Sequence, residues 1–276
     1  MRLNNKHNVP GALVLVGDVV FVILQGLVYA VSLAPCCYLL WQLRTLPMPL
    51  LFLAALVAWP LTALCFVIVI VSLKRVILPG EFPPGRYFLT SPRLTRWLFA
   101  TRLVVIFDDS PFRSIVLNHS FLRYLYFRGM GAKIGLTFYT APRALIPEPW
   151  GIRAGLQVCI GGGAVVSCHK VEASVLTTSP VELEDNVTIG ARAIIHAGVK
   201  IGKAAVVGAN SVVFPGTVIP PGEIWAGNPA RCIMRRPMPN GAPVEGLLPP
   251  SGAGVHHAGA AADGANASLG PTGGAG

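Results

Sequence analysis

From Leu183 onward one aliphatic residue recurs at every sixth position: Leu183, Ile189, Ile195, Ile201, Val207, Val213 and Ile219, with the series continuing to Trp225. A repeat this short marks a parallel β-helix, whose strands bury their apolar side only by stacking coil on coil. Two residues before the later members stand Val187, Ala193, Val199, Ala205, Ser211 and Thr217, small or β-branched residues that share the inward side of each strand because side chains alternate. Three residues after the aliphatic positions come Asn186, Arg192, Gly198, Ala204, Asn210, Gly216, Gly222 and Asn228. Most of these are Gly or Asn, which tolerate a left-handed backbone at a corner. Three hexads closing a triangular coil predict roughly 18 residues per turn, stacked at about 4.8 Å. Upstream the pattern is ragged. Ile134, Ile146, Ile152 and Val158 keep the spacing, Ile160 and Val166 shift its phase, and Ala173 to Pro180 break it. Such a break predicts an excursion loop, a common place for function.

The N-terminal part is of another kind. Gly11 to Trp41 carries a single formal charge, Asp18, and Met48 to Leu73 carries none. Each run is long enough to cross a hydrocarbon core of about 30 Å, and the short polar stretch Gln42 to Thr45 between them predicts a helical hairpin. The first run is too long for a signal-peptide core and lacks a small-residue cleavage site. Asp18 and Gln25 are assigned to helix–helix hydrogen bonds or to the interface. Arg2 and Lys6 precede the first span, Arg44 is alone in the turn, and Lys74 and Arg75 follow the second. That distribution predicts an inner-membrane protein with two spans and both termini cytoplasmic.

The chain carries 22 Lys+Arg against 12 Asp+Glu, a net charge of +10, with only 12% charged and 53% apolar residues, which argues against a simple soluble enzyme. Half of the basic residues lie between Lys74 and Arg143, interleaved with aromatics. Directly after a membrane hairpin, the stretches Leu94 to Phe107 and Phe112 to Arg128 suit helices at the headgroup boundary, so membrane lipid is the expected partner and nucleic acid is not. The expected organisation is a transmembrane hairpin at 1–75, a basic membrane-interfacial helical region at 76–132, a β-helix at 133–236 and a disordered Gly/Ala/Pro-rich tail at 237–276. Cysteines at 36, 37, 65, 159, 168 and 232 form no C-x-x-C pair, so neither a disulfide framework nor a zinc site is expected.

The segment Val181 to Ile233, including G-N-P-A-R at Gly227 to Arg231, resembles the last coils of the hexapeptide-repeat acyltransferases. The resemblance implies a left-handed parallel β-helix, a homotrimer, and acetyl-CoA or another acyl-CoA as co-substrate. A narrower likeness takes in PPGRYFL at Pro83 to Leu89, RWLFATRL at Arg96 to Leu103 and YLYFRGMGAKIG at Tyr124 to Gly135, and is similar to the membrane-attached terminal module of poly-lysine-type nonribosomal peptide synthetases. In those synthetases the helices and β-helix recur in tandem. This chain has one copy, so a real trimer is expected to replace the tandem repeat.

Acyl transfer from a thioester needs a base near the acceptor, and histidine suits that role. Of six histidines, His7, His256 and His257 fall outside the folded regions and His119 has no partner in view, which leaves His169 and His196. His169, just before the excursion loop, corresponds in the resemblance to the family's general base, with Glu172 or Asp185 as the expected orienting carboxylate. His196 is the alternative base; paired with Phe214, 18 residues on, it also suits a subunit interface. The resemblance places Ala191 and Ala209 on the coenzyme cleft and Arg231 near its phosphates, with Lys200 and Lys203 as basic neighbours; otherwise Arg231 caps the coil. A related zinc-dependent β-helix would need a histidine where Ala191 stands, so no metal is expected. The expected function is a membrane-anchored acyltransferase acting on a hydroxyl or amine, its acceptor held near the bilayer as in a lipid-linked sugar. The alternatives are an accessory enzyme of polymer or peptide assembly and a non-catalytic scaffold.

Overall fold

The computed structural model describes residues 11–80, 82–88, 91–172 and 175–237, and the side chains from 15 onward. The tail expected to be disordered, together with Arg2, Lys6 and the histidines at 7, 256 and 257, lies outside the described residues.

Two long helices open the chain, α1 (Gly11–Gln42) and α2 (Met48–Ile77), packed against each other as a hairpin. Their facing sides carry Val28, Ser32 and Cys36 on α1 and Ala58, Thr62, Ala63 and Phe66 on α2, all buried. The two hydroxyls bond within their own helices, Ser32 Oγ to Val28 O at 2.6 Å and Thr62 Oγ1 to Ala58 O at 2.8 Å, so neither leaves an orphan polar atom in an apolar contact. Leu15 to Gln42 and Met48 to Ile77 are both long and apolar enough to cross a membrane. Outward-facing Leu15, Val22, Phe52 and Val57 are each more than half exposed.

Three further helices follow. Ser91 caps α3 (Pro92–Asp108) by accepting the Arg93 amide at 3.3 Å, and Pro92 occupies its first turn. α4 (Arg113–Asn118) and α5 (Ser120–Met130) complete the set, α5 ending at Gly131 with φ 105°. The stretches expected at the headgroup boundary are amphipathic in a particular way: Trp97, Phe107, Tyr126 and Phe127 are buried in the protein core, whereas Arg93, Arg96, Leu98, Phe99 and Arg102 remain on the outside. Gly129 lets α5 approach α2, since a Cβ there would lie 2.6 Å from Val71. Buried Arg123 binds the carbonyls of Phe138 and Leu117 and thereby ties α5 to the first coil.

The rest is a parallel β-helix with three faces. Face one stacks Val165–Val166, Ile194–Ile195 and Val212–Val213; face two stacks Ile152–Ala154, Val181–Leu183, Lys200–Ile201 and Val218–Ile219. Face three runs from Tyr139–Thr140 through Cys159–Ile160, Thr188–Ile189 and Val206–Val207 to Glu223–Gly227, where Ala230–Arg235 folds back antiparallel. Leu183 pairs with Ile201, Ile189 with Val207 and Ile195 with Val213, the 18-residue coil expected. Both inward columns are buried from Leu183 to Ile219 apart from the intermediate Thr217.

Seven of the eight expected corner residues take positive φ, including Arg192 at 57° and Ala204 at 56°. Those two accept a conformation that costs a side-chain-bearing residue about 1–2 kcal/mol. At the eighth position the corner moves to Gly227, φ 102°, ahead of Asn228. The ragged upstream spacing has a simple cause. Ile160 and Val166 belong to the main column, pairing with Ile189 and Ile195, while Val158 belongs to the companion column two residues earlier. These pairs are 29 residues apart because one coil carries an antiparallel hairpin, His169–Glu172 with Val175–Thr178. The coil before it is 20 residues long, Thr140 pairing with Ile160, and its extra length is spent in a short turn at Pro149–Gly151.

Candidate active site

The chain leaves the coil at the corner between faces one and two. The Ser167 amide still binds Ile195 O at 2.9 Å, after which His169 opens the hairpin and the Ser179 amide closes it on Cys168 O at 2.9 Å. On the hairpin's other edge the strand Gly85–Phe88 pairs antiparallel with Val175–Thr178, so the segment between α2 and α3 becomes the third strand of this small sheet. Tyr87 Oη donates to Pro83 O at 2.7 Å and Thr178 Oγ1 donates to the same oxygen at 3.3 Å, which fixes the entry to that strand.

The carboxylate beside His169 is Glu148, not Glu172 or Asp185. Glu148 Oε1 lies 2.7 Å from His169 Nδ1, and Oε2 accepts the Cys168 amide at 3.0 Å. Glu148 is 1% exposed, so its charge acts on the imidazole with little screening by water. Glu172 instead pairs with Lys170 at 3.1 Å near the hairpin tip, and Asp185 Oδ1 accepts the Leu156 amide at 2.8 Å one face away. Ser167 Oγ lies 3.1 Å from the same Nδ1, and the Trp97 ring of α3 meets the imidazole edge-on, centroids 5.1 Å apart.

Hydrogen bonding to Glu148 raises the His169 pKa above its ordinary value, against the opposing effect of burial. With the carboxylate on Nδ1, the neutral ring carries its proton there and Nε2 is the free lone pair. The side chain is 26% exposed, enough for a substrate to reach it. Next to it a cavity of about 30 Å³ is lined by Phe82, Trp97, Glu148, Trp150, Cys168 and Thr178. Burial pushes the Cys168 thiol up, which makes it a packing residue and not a nucleophile.

His196 stands on the same corner one coil further on, with Phe214 beyond it, ring centroids 6.5 Å apart. Burial lowers the His196 pKa, and no carboxylate among the described residues pairs with it. Ala191, Ala209 and Arg231 share the corner between faces three and one. Gly190 there packs so closely that a Cβ would lie 2.5 Å from the Ala209 amide nitrogen, and Arg231 pairs with Ala226 at the end of the same column. Lys200 and Lys203 are not part of this group. Lys200 is on face two, paired with Glu182 at 3.0 Å, and Lys203 follows it at the next corner. Among the described residues there is no group of three or more His, Cys, Asp or Glu placed to hold a metal ion.

Residues 180–215 match the family described as the hexapeptide repeat of succinyl-transferase. Those residues are the part of the coil that runs from Val181–Leu183 to Val212–Val213. The fold class is the one expected, a parallel β-helix behind a helical N-terminal region. The chain is 32% identical over 164 residues to the delta-poly-L-ornithine synthetase of Acinetobacter baumannii, covering 59% of this chain and 12% of that protein. It is 42% identical over 79 residues to a 2,3,4,5-tetrahydropyridine-2,6-dicarboxylate N-acetyltransferase of Staphylococcus aureus, 29% of this chain and 31% of the enzyme. The chain thus spans less than a third of each relative. Among solved structures, a hexapeptide-repeat acetyltransferase from Vibrio cholerae superposes with a TM-score of 0.40 and 23% identity, over 53% of this chain and 94% of that one.

Proposed function

We propose that this chain is a membrane-anchored acyltransferase that moves an acyl group, acetyl in the first instance, from acyl-CoA to a hydroxyl or amine. The observation that carries this is the His169–Glu148 pair at the root of the hairpin, a partly exposed imidazole with one nitrogen 2.7 Å from a buried carboxylate. In the reaction His169 Nε2 takes the acceptor's proton as its oxygen or nitrogen attacks the thioester carbonyl. Collapse of the adduct breaks the C–S bond, and the proton passes from His169 to the leaving thiolate. Glu148 stabilises the imidazolium between these steps.

The corner of Ala191, Ala209 and Arg231 and the corner of His169 lie at opposite edges of face one. In the homotrimer we propose, one subunit's coenzyme corner stands beside its neighbour's His169, and the site is completed between subunits. Exposed apolar surface on α1 and α2, with Lys74 and Arg75 at one end and Arg44 alone at the other, supports two spans of the inner membrane with both termini cytoplasmic. An acceptor at the bilayer, such as a lipid-linked sugar, follows from that placement. The synthetase match favours a second reading, an accessory of peptide or polymer assembly with an amine as acceptor.

The test is calorimetry of acetyl-CoA with the detergent-purified protein, followed by transfer assays with His169→Ala. Micromolar binding and a loss of about 10²–10⁴-fold in turnover, with unfolding unchanged, are expected. No binding at millimolar ligand, or indifference to the substitution, replaces the enzyme with a scaffold.

A further inference from the structure

The site uses only one side of α3, the side that carries Trp97. On the other side, Pro92, Thr95, Arg96 and Phe99 face Val20 and Leu24 of α1 and Ile77 at the end of α2 across an open groove of about 680 Å³. That volume lies within the range of small-molecule sites. The walls are apolar apart from Thr95 and Arg96. Arg96 is exposed and makes no hydrogen bond or ion pair among the described residues. One and a half turns further on, Arg102 lies over the Phe21 ring of α1 at 5.0 Å, which adds a second cation to the same α1-facing side.

The position of the groove is set by the hairpin. Ile77 ends α2 and Gly11 begins α1, so both lie at the end away from the 43–47 turn. Val20 and Leu24 stand one turn apart on α1, about 6 Å along its axis. The groove therefore lies at the end marked by Lys74 and Arg75, with Arg96 on its wall, and its α1 side runs inward from Val20 to Leu24. A free anion has no use for the apolar length, and a neutral hydrocarbon has none for the guanidinium. Charge and apolar wall together match an amphiphile with a hydrocarbon chain on the wall and a phosphate head.

We infer that this groove binds a phosphate-headed lipid of the cytoplasmic leaflet, its chain against Val20, Leu24, Ile77 and Phe99 and its phosphate on Arg96. The inference rests on the reading that α1 and α2 span the membrane. It also deepens the proposed function: Arg96 and Trp97 are consecutive residues of α3, so a lipid held on the first is held on the helix whose other side packs on His169, which keeps a lipid-borne acceptor near that helix.

The test is native mass spectrometry of the full chain released from nanodiscs, made with phosphatidic acid or with phosphatidylcholine and without acyl-CoA. The wild type is expected to retain phosphatidic acid, whose phosphomonoester carries net negative charge, about tenfold over zwitterionic phosphatidylcholine, whose phosphodiester is already neutralised by its own choline cation. Arg96→Gln, on the exposed side of α3, is expected to remove that preference, and Leu24→Trp to remove retention of both lipids by filling the groove. Inorganic phosphate at millimolar concentration is expected not to displace the lipid. Equal retention of the two lipids by the wild type, retention unmoved by both variants, or displacement by inorganic phosphate overturns the inference. Loss of acetyl transfer with lipid retention intact refutes the enzyme and leaves the groove standing; acetyl transfer without lipid retention does the reverse.

Discussion

Replacing Glu148 by glutamine separates charge from shape at the buried end of the proposed base. Glu148 Oε2 accepts the Cys168 amide at 3.0 Å, and a glutamine would keep this bond by placing its carbonyl there. Its NH₂ would then face His169 Nδ1, where Oε1 now lies at 2.7 Å. An NH₂ donates, so Nδ1 must become the acceptor and the ring proton moves to Nε2, the nitrogen that has to act as base. The expected loss in kcat is on the order of 10²–10⁴-fold, the scale of a mispositioned general base, with Tm little changed. The pH dependence shifts in a defined direction. Glu148 raises the His169 pKa, so the wild-type rate rises with pH as the imidazolium loses its proton at a pH above the ordinary histidine range. Without the carboxylate the imidazolium is less favoured, and any residual activity has its acid limb at lower pH. Release of coenzyme A from acetyl-CoA, followed by chromatography, measures the rate, and ¹⁵N-histidine NMR reports the tautomer. A Glu148→Gln enzyme within threefold of wild type, or one whose His169 stays protonated on Nδ1, would refute the assignment of Glu148.

Glu148→Ala should behave differently, because it leaves the buried Cys168 amide without an acceptor; a stability loss of about 1–3 kcal/mol is expected in thermal unfolding. Arg231→Ala should weaken acetyl-CoA about tenfold by calorimetry, whereas unchanged affinity would leave Arg231 as a cap on the last carbonyls. Ile195→Ala, in the fully buried main column, should cost about 2–5 kcal/mol in unfolding free energy. Gly190→Ala forces a Cβ to 2.5 Å from the Ala209 nitrogen of the next coil, and a loss of about 1–3 kcal/mol is expected in the same measurement.

The coil was legible because its determinants are local and repeated: each hexad supplies its own inward pair and its own corner, and Leu183 to Ile219 paired as the spacing required. The corners at Arg192 and Ala204 were less so, since stacking on both sides holds these residues in a left-handed backbone that their own preference disfavours. His169 could be singled out by its place before the break in the repeat. Its carboxylate could not. Glu148 stands 21 residues upstream and reaches the imidazole only because its coil is lengthened by the turn at Pro149–Gly151 while the next coil carries the hairpin. A signal was present in hindsight: Glu148 is an acidic residue between two prolines in a chain with 12 Asp+Glu, where a polar side chain needs a reason to be. The lysines were misjudged for the same kind of reason. Lys200 and Ala191 are close in sequence, yet a nine-residue step is half a coil and ends on another face.

The strand Gly85–Phe88 has a practical meaning for anyone who wishes to work with a soluble fragment. Cutting the chain at residue 133 would leave a fragment that keeps all three faces of the coil. It would lack the strand that borders Val175–Thr178 and the Trp97 ring that packs on His169, so the edge of the hairpin would be open for pairing with another chain. An inactive or aggregating fragment would say nothing against the whole protein, because the hairpin that carries His169 is bordered by the strand that follows the second apolar helix.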